Sequence, residues 1–251
     1  MMDFNHGATK GKAGVPGTDL LDLAAATIEG AREQRTYLGG SRLGEICQRK
    51  LLFEYQGAPR ERPMTAKTHL IFASGHFMEE RQAKLLIAAG LDLRTHDRHG
   101  GQFGFSVAGD RIKGHIDGVV CGGPADLGPY PYLWEHKFVG GKYWTAIVKK
   151  GVALERPVYA AQIAIYQAYM GLEENAALFQ VTNRDTLETA FERVPFNTKL
   201  AQTASDRGVA VLNAHDAGAL PPRAHASADF FECRWCDFHN RCWGQSNGVS
   251  A

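Results

Sequence analysis

The chain has 251 residues, 44% of them apolar and 22% charged, with a formal net charge of +1. This length and composition allow a sizeable core in one large domain or two small ones and give no reason to invoke disorder. The near-neutral balance argues against indiscriminate coating of a polyanion, so any nucleic-acid contact has to come from a local basic patch.

Residues 1–17, rich in Gly, Lys and Ala, read as a flexible lead. They lack the charged start, apolar stretch and small-residue cleavage site of a secretory signal, and no later apolar run approaches the ~20 residues that span a bilayer. The expected compartment is the cytoplasm, with no membrane contact. Residues 18–251 read as a single α/β domain with helical additions. Thr18 caps an amphipathic helix with Leu20, Leu21, Leu23, Ala24 and Ile28 as its stripe, ended by Gly39-Gly40. Ser41 opens a second helix through Tyr55, with Glu45 near a capping position. A third helix runs from about Lys67 to Ala89 and stops at Gly90.

After Gly90 the pattern becomes strand-like. The segments are Phe103 to Val107, Arg111 to Val120 and Tyr132 to Val139, separated by Ala108-Gly109-Asp110 and by the Gly- and Pro-rich stretch from Cys121 to Pro131. The residues after Val139 read as a loop. Pro157 to Met170 is a helix, with Pro in its first turn and Gly171 past its end. Ala176 to Asn183 and Thr189 to Val194 are further strands, and Thr198 to Asp216 is the last long helix. Pro221-Pro222 leads into a cysteine-rich tail.

The chemical signal is Asp117 followed downstream by Glu135-His136-Lys137. Side chains alternate across a strand, so Glu135 and Lys137 share a face and His136 takes the other. If the two strands are neighbours, Asp117 sits beside Glu135. Two close carboxylates repel unless a cation lies between them, and oxygen ligands of this kind suit Mg²⁺ or Mn²⁺. A lysine beside them can orient an attacking water and offset charge at a phosphorus. On the order of one Glu-x-Lys triplet is expected by chance in such a chain, so the surroundings carry the argument. Those are an apolar, β-branched strand around Asp117, and Trp134 and Phe138 bracketing the triplet.

Gly114-His115-Ile116-Asp117-Gly118, followed by Leu133-Trp134-Glu135-His136-Lys137, resembles the core of RecB-like PD-(D/E)XK nucleases. This group includes the RecB and AddB nuclease domains, iron–sulfur CRISPR spacer-trimming nucleases and many phage exonucleases. The likeness runs from about Ser41 to Trp243. It implies a restriction-endonuclease-like α/β core, its mixed central sheet flanked by helices, with a helical N-terminal part and a C-terminal cysteine segment. It also implies an Mg²⁺- or Mn²⁺-dependent deoxyribonuclease, with an exonuclease acting on DNA ends in recombination, repair or phage replication favoured. Recombination or replication proteins are then possible partners. The alternative is a catalytically silent DNA-binding or assembly module.

The third helix carries Gly75-His76-Phe77-Met78-Glu79, in which Gly75 and Glu79 share a face. A glycine there lets the helix approach the sheet, and Glu79 then reaches the metal. RecB-like families often place a His at this position, so Glu80 and His76 stay open as rivals. Gln162 and Tyr166 share a helix face and are similar to the family's Gln-x-x-x-Tyr motif, which implies strand positioning. Tyr159 and Tyr169 lie nearby. His115 reads as a satisfied core histidine or a neighbour of Asp117. The resemblance implies the backbone carbonyl of His136 as a metal ligand.

The tail cysteines Cys233, Cys236 and Cys242 cannot complete a tetrahedral shell or a cubane alone. Cys47 is the best fourth ligand. Spacing alone favours zinc, with Cys47 or a histidine such as His239 completing the shell. The resemblance to AddB-like nucleases implies a [4Fe–4S] cluster on all four cysteines. Joining such distant residues removes loop-closure freedom worth several kcal/mol, by analogy with a long-loop disulfide. Cys121 is left over, and Trp235 and Trp243 pack over the site. Candidate DNA contacts are Arg42, Arg49 and Lys50 beside the first cysteine, and Lys142, Lys149, Lys150 and Arg156 with Tyr143 and Trp144 after the catalytic strand. Basic residues mixed with aromatics suit single-stranded DNA or single-stranded ends.

Overall fold

A computed structural model gives the fold and describes residues 17–30, 35–62 and 64–244. The expected flexible lead lies outside the described residues, apart from Gly17. In chain order the elements are α1 (Gly17–Gly30), β1 (Leu38–Gly39), α2 (Gln48–Tyr55), α3 (Ala66–Ala88), β2 (Leu93–Arg94), β3 (Gly104–Val107), β4 (Ile112–His115), β5 (Gly118–Val120) and β6 (Tyr132–Val139). They continue with α4 (Gly141–Lys150), α5 (Val152–Glu155), α6 (Pro157–Met170), β7 (Ala177–Asn183), β8 (Thr189–Val194), α7 (Thr198–Asp216), α8 (Phe231–Arg234) and α9 (His239–Trp243).

The larger sheet has the order β2-β5-β6-β7-β8. It is mixed: β6 and β7 are parallel and the other neighbours antiparallel. A parallel pair needs a long crossover, and α4 to α6 supply it. Along β6, Leu133 and Val139 join the core that includes Ile163 of α6, Phe179 and Val181 of β7 and Ala204 of α7. Tyr132 and Trp134 face the other way, into a smaller core with Ala83 of α3, Leu91, Leu93 and Val120. Burying an Ile, Leu or Phe is worth about 1.5–3 kcal/mol each, so these two layers hold the sheet between α6–α7 and α3. α6 starts with Pro157 and ends on Gly171, whose left-handed conformation (φ 66°, ψ 38°) a side chain would disfavour.

A smaller sheet, β1-β4-β3, departs from expectation. Residues 111–120 are not one strand. β4 pairs with β1 and β3, whereas β5 pairs with β2 and β6. Ile116 N–H bonds back to the Phe103 carbonyl at 3.0 Å, and Asp117 falls between the two ladders.

Three helical expectations are also corrected. The helix expected to reach Gly39-Gly40 has Gly30 as its last residue, and Leu38–Gly39 pairs in parallel with β4 instead. The stripe residues Leu21, Leu23, Ala24 and Ile28 are exposed, while Ala25 is buried; the Leu20 side chain lies outside the described residues. Ser41 opens only a 3₁₀ turn (Gly40–Arg42), and α2 begins at Gln48 with Cys47 before it. Glu45, expected to cap, is drawn instead to Lys50 at 2.7 Å. The segment after Val139, expected as a loop, is α4 and α5, with Lys149 and Lys150 placed favourably at the negative end of α4.

The C-terminal segment docks on α2 and the chain after it. Arg49 Nε donates to the Pro221 carbonyl at 2.8 Å, Glu61 N–H to that of Asp237 at 2.8 Å, and Phe53 lies 5.5 Å from Phe238. Among the described residues no helix is long and apolar enough to cross a membrane.

Gly44 sets how closely the chain before α2 meets α6. A Cβ there would lie 2.8 Å from the Val158 backbone and 2.9 Å from the Ala161 methyl. Gly44→Ala is expected to lower stability by about 1–3 kcal/mol in urea denaturation. Unchanged stability would show that this contact yields without strain.

Candidate active site

β5 and β6 pair with Gly118 opposite Trp134, so the register sets the preceding Asp117 level with Glu135. Leaving the ladder turns the Asp117 carboxylate onto β6, where Oδ2 accepts the His136 N–H at 2.7 Å. Glu135 has no exposure. Its Oε1 accepts from the Lys137 ammonium and, at 2.5 Å, from the Gln162 amide of α6. Its Oε2 is buried with no partner. An unsatisfied buried polar atom costs about 1–3 kcal/mol, and more when charged.

Glu79 of α3 lines the same cleft as Asp117 and Lys137. Burial and then Asp117 push Glu79 up to about 7, against the pull of Lys137. Burial and then Asp117 push Glu135 up to about 8, again against Lys137. Burial also raises Asp117, opposed by Lys137 and the His136 amide. Burial works against the Lys137 charge, but Glu135 and Asp117 outweigh it and raise its pKa. Three carboxylates and one ammonium cannot all be charged in so dry a place, so a proton or a cation has to make up the difference. The open Oε2 and the surplus of carboxylates fit a hard divalent ion as a donor set. Among the described residues no three His, Cys, Asp or Glu side chains stand as a group able to hold a metal ion.

A cleft of about 660 Å³ opens over the site. Its wall includes Tyr166, buried on α6, whose pKa is raised by burial and then by Glu135, so the phenol stays neutral. Arg35 and Lys113 line the cleft and lie 5.6 and 5.7 Å from the Tyr37 ring. Sequence reasoning missed this cationic rim. The signal was the period-two run Lys113-x-His115-x-Asp117. Also missed was the network that seats α3. Trp134 Nε1 donates to Gln180 at 2.8 Å, Gln180 to Gln82 at 2.7 Å, and Gln82 to Thr189 at 3.3 Å. Gln82 is one turn beyond Glu79, so the network fixes where Glu79 points.

The other proposed residues are placed as follows. The His136 ring turns away from Glu135 and meets Thr182 at 3.0 Å; burial drives its pKa down to about 3, so it is neutral. His115 is exposed on the cleft, so the core-histidine reading is corrected: the strand ends there. Glu80 pairs with Lys84, and His76 is exposed, 3.9 Å from Glu79. A Cβ on Gly75 would meet nothing within 4 Å, so close approach is not its role. Tyr159 lies 5.5 Å from Lys137, while Tyr169 bonds Ser205 at 2.7 Å and packs in the core. Arg42, Arg49 and Lys50 are committed internally, to Glu54 and Glu45, to Pro221 and Cys242, and to Glu45. Trp144 is tied to the Val181 carbonyl at 3.2 Å.

Cys47, Cys233, Cys236 and Cys242 line one pocket of about 310 Å³, together with Trp235 and Trp243. Burial pushes the Cys233 and Cys236 thiols up, and the approach of Cys47 adds to both shifts. A thiolate-binding metal would reverse those shifts. The four sulfurs share one pocket, but among the described residues they do not stand as a group able to hold a metal ion. His239 has its Nδ1 2.9 Å from the Cys233 carbonyl. Cys121 lies away from this pocket, its thiol directed at Val119.

No protein-family model matches the chain, and no curated protein matches it. Among solved structures it is similar to an alkaline exonuclease (LHK-Exo) from Laribacter hongkongensis, with a TM-score of 0.52 and 15% identity, covering 80% of this chain and 94% of that one. A structure described as SSO0001 has a TM-score of 0.47 and 13% identity, covering 89% and 95%. The likeness to the exonuclease is one of fold: an α/β chain with a mixed central sheet flanked by helices.

Both glutamates are raised above their unfolded value of 4.5, so the folded state holds their protons more tightly. That stability is complete below about pH 4.5 and is lost as pH rises through about 7 and 8. Metal-free protein in chelator is expected to lose stability over this window in denaturant titrations. Glu135→Gln should flatten the loss. An equally steep loss in that variant would show that Glu135 is not the group responsible.

Proposed function

We propose that this chain is a divalent-metal-dependent nuclease that hydrolyses phosphodiester bonds of DNA, acting as an exonuclease on ends with single-stranded character. The observation that carries this reading is the fully buried Glu135, with one unpartnered oxygen, held by Lys137 and Gln162 behind a cleft that Asp117, Glu79 and Lys137 line. The fold shared with a solved alkaline exonuclease fits it. Asp117, Glu135 and Glu79 would hold Mg²⁺ or Mn²⁺, with the His136 carbonyl as a further oxygen. When bound, such an ion supplies Lewis-acid charge to a phosphoryl oxygen.

The chain's own residues do the rest. Gln162 keeps Glu135 turned towards the site. Lys137, on the same face of β6 as Glu135, would direct its N–H bonds to the attacking water and to oxygens gaining charge. Tyr166 remains an uncharged wall, so it does not repel the phosphate. Arg35 and Lys113 attract the strand to the cleft mouth. Water adds to phosphorus, the bond to the leaving sugar oxygen breaks, and that oxygen takes up a proton.

End-labelled single- and double-stranded DNA should be degraded with Mn²⁺ and left intact in chelator. Asp117→Ala and Lys137→Ala should each lower the rate at least about 100-fold while circular dichroism stays unchanged. Full activity in both variants would end the proposal, and a wild type inert on every DNA would leave the silent binding module as the reading.

In the cysteine pocket we favour a [4Fe–4S] cluster acting as a staple, held by Cys47, Cys233, Cys236 and Cys242. Anaerobically purified protein is then expected to be brown and to contain iron and acid-labile sulfide, and Cys47→Ser should lose the colour and melt lower. Colourless protein containing stoichiometric zinc would replace the cluster with a zinc site.

A further inference from the structure

α6 carries Gln162 and Tyr166 at the acidic centre and Tyr159 beside Lys137. One turn earlier, at its N-cap, stands Arg156. Its guanidinium lies 3.7 Å from the centroid of the Tyr143 ring, in the first turn of α4. Tyr143 is 48% exposed. Arg156 Nε is buried without a hydrogen-bond partner. Glu155 pairs with Lys150 at 3.3 Å, Glu192 accepts the Val152 N–H at 2.8 Å, and Asp185 accepts the Gly141 N–H at 2.8 Å. Lys142 and Lys149 of α4 add positive charge.

We infer that Arg156 and Tyr143 form a subsite for a single-stranded stretch of DNA leaving the cleft, which rests on the nuclease reading above. A guanidinium stacked on a ring is held flat with its edge N–H groups outward, the geometry that grips a phosphate in two places. The open side of the tyrosine ring can stack on a base only where that base is unpaired. Together they select a single strand over a duplex.

The test is binding of a fluorescent oligothymidine and of a duplex of equal length, by anisotropy in chelator, so that no hydrolysis intervenes. Arg156→Ala and Tyr143→Ala should each weaken single-strand binding about tenfold or more, and Arg156→Ala should lower the salt slope by about one. Duplex binding should change little. Tyr143→Phe, which keeps the ring, should bind as the wild type does. Unchanged single-strand affinity in both alanine variants would overturn the inference. So would an equal loss on both DNAs together with a lower melting temperature, which would mean that the pair only holds α4 to α6. Wild-type protein that degrades DNA with Mn²⁺ alongside such results leaves the nuclease reading standing. Wild-type protein that neither degrades nor binds DNA sinks that reading and the subsite with it.

Discussion

A carboxylate with no access to water, held by an ammonium and an amide on one oxygen and by nothing on the other, is the constraint around which this fold is arranged. Desolvating Glu135 is unfavourable unless something compensates its charge. Lys137 answers that need in part, and Asp117 and Glu79 make it worse. Each acid raises the others, so the group as a whole favours a proton or a cation. The same surplus of negative charge is what would attract a divalent ion.

The architecture serves that concentration of charge. β6 carries Glu135 and Lys137 on the face towards α6, which delivers Gln162, and Trp134 on the face towards α3. The break between β4 and β5 frees Asp117 from ladder bonding, so its carboxylate reaches the His136 amide. Had β4 continued into β5 as one strand, Asp117 would have stayed within the ladder and the small sheet could not have formed the cleft wall. α3 approaches on the opposite face, and the Trp134–Gln180–Gln82–Thr189 chain fixes its register. Glu79 thus owes its position to amides that never meet the cleft floor.

What was legible in the sequence tracks how strongly local chemistry dictates structure. β6, α6, β8 and α7 were readable to within a residue, because period-two or period-3.6 patterns coincide there with Pro, Asn or Gly punctuation. That Glu135 and Lys137 share a face follows from alternation alone. The strand break at Ile116-Asp117 was hidden, since an apolar β-branched run looks alike whether it serves one sheet or two. α4 was hidden by its Gly140-Gly141 start and its many basic residues, which resemble a loop. Ser41 looked like a cap, but the tight contact of Gly44 with α6 overrides that local preference. Arg42, Arg49 and Lys50 looked like a binding patch because sequence shows charge and not the partners that neutralise it. Gln82 and Gln180 offered no signal except a glutamine in an otherwise apolar strand.

The two candidate sites are mechanically connected, and the link is α6. The tail reaches α2 and the chain after it through backbone and ring contacts that require no metal. Four cysteines line one pocket at that junction, and Val158 of α6 lines the same pocket. Val158 is also where the Gly44 backbone presses on α6, one turn before Gln162. Interiors packed at crystal-like density transmit displacement instead of absorbing it. A group held by the thiols would lie in the pocket that Val158 lines, one turn before the Gln162 amide that bonds Glu135. The cysteine pocket need carry out no chemistry of its own to matter: by fixing one end of α6 it fixes the donor that aims the buried carboxylate.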